Sequence, residues 1–255
     1  MRGVFYVATG ERCCSEAILN ARRCRRANPN LPITIKTDLP DYPDLVNVFD
    51  SVTVFPFPDY SYRDKVSGLS QIPYDETLFL DSDACLIAPA DDLFDLLKGS
   101  DLAVAHAPVR HPPGWSDDVI PRSFPELNTG VMLMRRSRSV EALMSAWLAL
   151  YDELLNACSQ SWDQASFRSV LWTSLRRCNL RFLHLPPEAN LRTTKPWFAG
   201  RGLPVYVVHG RFNAAEFDPF VEFLNSDVDC FRTWDQWFGM YPETSIRPRF
   251  DRTFG

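Results

Sequence analysis

The 255-residue sequence has no basic excess: 27 lysines and arginines stand against 32 aspartates and glutamates, for a formal net charge of −5. A nucleic-acid-binding surface ordinarily appears as a positive surplus, so that class of partner is set aside. One basic run, Arg22-Arg23-Cys24-Arg25-Arg26, is read as the solvated face of a helix, with contact to an anionic partner as the alternative. Paired cysteines are lacking too. Cys13, Cys14, Cys24, Cys85, Cys158, Cys178 and Cys230 are odd in number, scattered, and contain no C-x-x-C pair. That pattern argues against a disulfide framework or a structural zinc site, and fits reduced thiols in a cytoplasmic protein. No apolar run approaches the ~20 residues of a membrane-spanning helix. The segment Met1 to Ala8 runs straight into a strand-like stretch without a signal-peptide core. Repeats, low-complexity tracts and linkers are absent, so a single domain over residues 1–255 is expected. With 45% apolar and 23% charged residues, the chain has the composition of a soluble globular protein with a full core.

What is present alternates. Val4 to Ala8 reads as a buried strand ending in a turn at Thr9-Gly10, after which Ser15 is placed to cap a helix with Ala17, Ile18, Ala21 and Cys24 on its apolar face. Ile33 to Thr37, Val52 to Phe55 and Leu78 to Leu80 are further strands. Short strand–helix–strand intervals of this kind predict an α/β fold with a mostly parallel central sheet and helices on both faces. Beyond it come a helix over Ala90 to Leu97, a strand over Leu102 to Ala107, and a proline-rich loop around His111 and Trp115. A strand over Leu127 to Met134 is interrupted by Asn128-Thr129-Gly130. A helix over Val140 to Asn156 and strands over Leu180 to Leu185 and Val205 to Val208 follow. The aromatic tail from Phe217 has no clear period and is expected to pack over the sheet.

The chemistry concentrates at Thr77-Leu78-Phe79-Leu80-Asp81-Ser82-Asp83, a buried strand that ends in two carboxylates one residue apart. Extended residues with that spacing point to one side, so both can converge on one cation at the sheet's C-terminal edge, where ligands of open α/β sheets collect. A hard divalent ion held by one or two carboxylates takes its other ligands from phosphates and water. His209 follows the final apolar strand, on the same predicted edge, and imidazole suits a manganese-like ion better than magnesium. Lys65 lies sixteen residues before Asp81 and offers a compact charge for a diphosphate leaving group; a solvated surface lysine is the plain alternative. Asn128 and Gly130 weaken a strand, as happens where a ligand or backbone comes close, or at a bulge. Asp163 and Gln164 stand before a helix, either as its cap or as site residues.

Together these pieces resemble the GT-A nucleotide-sugar glycosyltransferases, in particular the glycogenin and galactinol-synthase-like family (glycosyltransferase family 8-like). The resemblance runs from Val7 to about Phe212. It rests on Val7-Ala8-Thr9-Gly10, on Lys65 before Phe79-Leu80-Asp81-Ser82-Asp83, and on Asp92-Leu93-Phe94-Asp95. Asn128-Thr129-Gly130-Val131, Asp163-Gln164 and His209 complete it. It implies a GT-A (Rossmann-like) fold, a UDP-sugar donor and Mn2+ (or Mg2+) held by Asp81, Asp83 and His209. It also implies a nucleotide-binding half from Val4 to Asp83 and an acceptor-binding, metal-completing half from Ala84 to Gly255. Ala8, Thr9, Asp38, Lys65, Ser82, Asn128, Gly130 and Arg211 are the expected nucleotide-sugar contacts, with Asp163 and Gln164 as the catalytic pair lining donor sugar or acceptor. The family's last motif places a lysine after the histidine; here the chain reads His209-Gly210-Arg211-Phe212-Asn213, and Arg211 is the substitute considered. Lys195-Pro196-Trp197 precedes the histidine, so that lysine's role is not carried over to it.

The expected reaction is sugar transfer from a nucleotide diphosphate sugar to a hydroxyl on a glycan, protein or small molecule, with retention of configuration. In an inverting enzyme Asp163 would be the general base. Two alternatives compete. One is a HAD-type phosphatase with Asp81 as nucleophile, although that motif expects Thr or Val where Cys85 stands and lies near the N-terminus. The other is a non-catalytic nucleotide-sugar-binding protein of the same fold.

Overall fold

The computed structural model describes residues 1–107, 117–177 and 179–249; the loop around His111 and Trp115 and the position of Cys178 lie outside them. The first half alternates as expected: β1 (Arg2–Val7), α1 (Gly10–Ala27), β2 (Ile33–Thr37), α2 (Leu45–Val48), β3 (Ser51–Val54), α3 (Tyr62–Gly68) and β4 (Glu76–Leu80). After β5 (Ala84–Leu86) and α4 (Asp91–Asp95) come β6 (Leu102–His106), β7 (Leu127–Arg135), α5 (Arg138–Cys158), α6 (Asp163–Arg176) and β8 (Phe182–Leu185). The seven-stranded sheet runs β3-β2-β1-β4-β7-β6-β8. β1 to β4 are mutually parallel, while β7 runs antiparallel to both β4 and β6.

Alternation along β1 sorts its side chains to the two faces. Val4 and Tyr6 join Leu78, Leu80, Ile33 and Ile35 against the Cys14, Ala17, Ala21 and Cys24 stripe of α1. Phe5 and Val7 join Phe79, Met132 and Met134 against α3, α5 and α6, through Val66, Leu143, Trp147 and Phe167. With both faces covered, the central strands carry near-continuous apolar runs. Helix α5 starts where Ser137 accepts from the Val140 amide at 3.3 Å and stops at Ser159, which turns into the left-handed region with φ 57°. No described helix is long and apolar enough to cross a membrane.

Several expectations need correction. Helix α1 begins at Gly10, so Ser15 is not its cap but an interior residue that donates to the Arg12 carbonyl at 2.9 Å. Thr9 occupies the cap position, yet its hydroxyl donates to Asp64 at 2.7 Å, and the Gly10 amide is satisfied by Asp38 at 2.9 Å. The arginine run is a set of braces rather than a freely solvated face. Arg25 holds Asp50 at 2.7 Å and the Leu31 carbonyl at 2.9 Å, Arg22 holds Asp44 at 2.8 Å, and Arg23 lies 3.6 Å over the Phe217 ring. Strand β7 is not interrupted at Asn128-Thr129-Gly130; instead its pairing with β6 jumps from Val104↔Met132 to Ala105↔Asn128, a bulge that frees residues 129–131 from that neighbour.

The last part forms a separate layer. β9 (Leu191–Arg192) and β11 (Val207–His209) combine with β5 in the order β5-β11-β9, and β10 (Phe198–Ala199) pairs with β12 (Arg232–Thr233). The strand bearing His209 therefore belongs to this small sheet and not to the edge of the large one. The aromatic tail contains α7 (Phe217–Asn225) and α8 (Trp234–Met240), whose Phe220, Leu224 and Trp237 pack on Leu191 and Val208 of the small sheet and on Trp197 just before β10. The expectation of a tail without period lying over the main sheet fails here, because these helices are too short for their apolar spacing to stand out.

Trp147 ties α5 to the head of α6. It is fully buried, 4.8 Å from Phe167 in a T-shaped contact, and its Nε1–H donates to the Asp163 carbonyl and Ser166 hydroxyl, each at 3.0 Å. Trp147→Ala is expected to lower the unfolding free energy by about 3–5 kcal/mol in a urea titration; a loss under about 1 kcal/mol would mean that this contact does not anchor α6.

Candidate functional site

A cleft of about 670 Å³ opens at the C-terminal edge of β1 and β4, bounded by the small sheet. Among the expected site residues, Thr9, Lys65, Asp81, Ser82, Asp83, Asn128, Asp163, Gln164, His209 and Arg211 line it. Three chain crossings bring them together. β4 delivers Asp81 to Asp83. Because β7 is antiparallel, its beginning lies beside the end of β4, with the Asp81 amide donating to the Gly130 carbonyl at 2.8 Å. β11 pairs with β5 in the register His209↔Ala84, and the Gly210 amide donates to the Asp83 carbonyl at 2.9 Å, which sets the imidazole against the acidic pair.

Two expected contacts lie elsewhere. Ala8 is buried in the core against α1, and Asp38 accepts from the Gly10 amide and, at 3.1 Å, from the Tyr60 hydroxyl. Neither lines the cleft. Gly130 sits directly behind it: a Cβ there would collide with His209 Cε1 and lie 2.6 Å from Asp81 Oδ2, so a larger residue would push these two side chains out of place.

One ligand atom each from Asp81, Asp83 and His209 lies within 4.8 Å of the other two. His209 Nε2 is 3.3 Å from Asp83 and 4.0 Å from Asp81. A backbone amide fixes which ring nitrogen faces them. The Gly130 N–H donates to Asn128 Oδ1 at 3.3 Å, so that oxygen is an acceptor and takes the Asn190 Nδ2 at 2.8 Å. Asn190 Oδ1 is then left to accept from His209 Nδ1–H at 2.9 Å, so Nε2 is the ring nitrogen that faces the aspartates. This is the outer-shell arrangement that orients metal-ligating histidines. Two carboxylate oxygens and an imidazole nitrogen, with an open side toward the cleft, fit a six-coordinate divalent ion such as Mn2+.

The carboxylates are held unequally. Lys65 Nζ lies 2.6 Å from Asp163 and 3.3 Å from Asp81, and donates to the Thr129 hydroxyl at 3.2 Å; that hydroxyl donates to Asp163 at 2.5 Å. Burial alone would lower the ammonium's pKa, but Asp163 and Asp81 outweigh it and the net shift is upward. Asp83 is held well below the usual carboxylate range: burial pushes it up, yet His209 and then Arg211 pull it further down. Asp81 goes the other way. Its burial, with Asp83 and Asp163 nearby, exceeds what Lys65 and His209 give back, so its pKa is raised. Arg211 grips Glu16 with both arms at 2.7 and 2.9 Å and reaches Asp83 at 3.1 Å. Ser82 donates to the same Glu16 at 3.1 Å.

Sequence reasoning missed Tyr60, Tyr62, Arg192 and Arg249, and set Lys195 aside, although all five line the cleft; it also missed Asn190 and Asp64 behind it. Asp64 is buried, accepts from the Asp59 and Tyr60 amides at 2.8 and 2.9 Å, and holds Tyr60 in the left-handed region with φ 51°. Its neighbours Arg63 and Lys65 give it the look of a surface charge run, and no spacing marks it.

No protein-family model matches the chain, and no curated protein does. Solved structures do. The galactosyltransferase LgtC, in complex with donor and acceptor sugar analogues, aligns over 94% of this chain and 99% of its own, with a TM-score of 0.56 at 14% identity. The glycosyltransferase GlyE of Streptococcus pneumoniae TIGR4 aligns over 76% of this chain with a TM-score of 0.51 at 17% identity. The chain spans only 48% of the GlyE structure. The fold is thus GT-A, an α/β fold of mostly parallel central sheet with helices on both faces.

Asn190→Leu keeps the side-chain volume and removes the relay to His209. It is expected to weaken Mn2+ binding by about 10- to 100-fold, read as free Mn2+ by electron paramagnetic resonance; unchanged binding would show that the imidazole needs no such support.

Proposed function

We propose that the protein is a metal-dependent glycosyltransferase that moves a sugar from a UDP-sugar to a hydroxyl of a glycan, protein or small molecule, with retention of configuration. The observation that carries the reading is the convergence of Asp81, Asp83 and the Nε2 face of His209 on one open point of a cleft that also holds Lys65. These three residues would hold Mn2+ or Mg2+, and the bound ion would supply charge stabilisation to the two phosphates. Lys65, fixed between Asp163 and Asp81, presents its ammonium to the same phosphates. Gln164 lines the cleft, its Oε1 has no hydrogen-bond partner among the described residues, and its side chain stands where the donor sugar or acceptor would lie. Thr9, Ser82, Asn128 and Arg211 border the donor, with Gly130 keeping room behind the ion and Tyr60 on the nucleoside side.

In the reaction the bond from the anomeric carbon to the β-phosphate oxygen breaks, and its electron pair stays on that oxygen. The acceptor oxygen forms the new bond on the same face, and its proton passes to the departing phosphate. Asp163 is disfavoured as a general base because its Oδ2 already takes contacts from Lys65 and Thr129; holding Lys65 in place is the role that fits. A cytoplasmic setting belongs to the same proposal, and the odd, scattered cysteines support it.

The test is a thermal-shift series with UDP, GDP, CDP and ADP, each with and without Mn2+. At a hundred times its dissociation constant UDP is expected to stabilise the fold by about 2.7 kcal/mol, only with the metal, and not in Asp83→Ala. No shift with any nucleotide would overturn the transferase reading and return attention to Asp81 as a phosphatase nucleophile.

A further inference from the structure

The protein is acidic overall, yet its cleft is not. Lys65, Arg192, Lys195, Arg211 and Arg249 line it against the carboxylates Asp81, Asp83 and Asp163. A divalent ion would widen that positive excess, so the cleft is built for an anion. The cations there are not equivalent. Lys65 is held by Asp163 and Asp81, and Arg211 by Glu16 and Asp83. The side chain of Arg192 has no hydrogen bond or ion pair among the described residues. Its guanidinium is half-buried all the same, and burial lowers its pKa against the opposing pull of Asp83 and Asp81. None of its nitrogens is fully buried, so its five N–H donors, unpaired among the described residues, are reachable from the cleft it lines.

Its place in the fold says what that is. Arg192 stands on β9 in parallel register with His209 on β11, so the two side chains leave the small sheet on the same face, toward Asp81 and Asp83. An anion bridging the ion site and Arg192 would meet charge on both sides.

We propose that Arg192 is the clamp for the β-phosphate of the nucleoside diphosphate, taking it with two parallel N–H···O bonds as charge collects there during departure. The inference rests on the donor reading above and adds to it the residue that receives the leaving group. Guanidinium geometry matches a phosphate edge in a way that an ammonium does not. Arg211, the substitute suggested by its position after His209, is by contrast already closed on Glu16.

The experiment is calorimetric titration of wild type, Arg192→Gln and Arg192→Lys with UDP, UMP and inorganic pyrophosphate at saturating Mn2+, together with the melting temperature of each free protein. Arg192→Gln is expected to weaken UDP and pyrophosphate roughly tenfold to a hundredfold and UMP less than about threefold. Arg192→Lys should recover part of that loss, and the free variants should melt no lower than wild type, since an unpartnered charge has been removed. Equal UDP affinity in wild type and Arg192→Gln would overturn the clamp while leaving the donor reading intact. Parallel losses for UDP and UMP would move the contact to the α-phosphate and also overturn it. If wild type binds Mn2+ but neither UDP nor pyrophosphate, the donor reading fails and this inference with it.

Discussion

The arrangement of the cleft turns on keeping three carboxylates together in a half-buried space. Asp81, Asp83 and Asp163 come from two separate segments, and like charges so placed repel strongly where the dielectric is low. Lys65 settles most of it. Its ammonium, 2.6 Å from Asp163 and 3.3 Å from Asp81, links the head of α6 to the end of β4. Arg211 and His209 do the same for Asp83. Asp81 is left least compensated, with its pKa raised. It is therefore the carboxylate that gains most from an added cation, and it is the one lying against Gly130, where a Cβ would intrude.

That charge geometry explains an otherwise odd topology. In a sheet of parallel strands the residues at one edge would all come from strand C-termini. Here β7 runs the other way, so its first residues meet the last residues of β4. The bulge against β6 then releases residues 129–131 from one neighbour. The small sheet supplies the rest, because pairing β11 with β5 carries residue 209 to the side of residue 83 in a single ladder step.

Much of this was legible because it is written in short-range pattern. An apolar strand running into Asp81-Ser82-Asp83 drew the eye to the metal reading over a plain loop start, and the period-2 and helical patterns of β1, β2, β4, α1 and α5 placed the layers. The resemblance added order and spacing, which located Lys65, Asn128, Asp163 and His209. What escaped notice lies where pattern fails. Arg192 sits in a two-residue strand amid Asn, Arg and Thr, and Asn190 just before it; neither has a period to betray its direction. Asp38 is at the end of β2 as its position suggested, but the same exposure that makes a strand-end aspartate available to ribose also makes it available to the open amides at the head of α1, and there it is found. Ala8 follows the burial of β1, which continues one residue past the strand. Helices α7 and α8 were obscured because their aromatic residues serve a second, smaller core.

Gly130 shows how much can rest on a residue with no side chain. Its missing Cβ leaves room for His209 and Asp81 to approach, and its carbonyl accepts the Asp81 amide at the point where β4 ends. Its own amide sets the direction of hydrogen bonding through Asn128 and Asn190, which leaves His209 Nδ1 as a donor and turns Nε2 toward the aspartates. A backbone N–H cannot reverse its polarity, whereas an asparagine amide or an imidazole can. Anchoring the relay on the main chain therefore leaves one consistent orientation for three ambiguous side chains. An imidazole so oriented needs no rearrangement when a cation arrives, and this preorganisation follows from the antiparallel course of one strand.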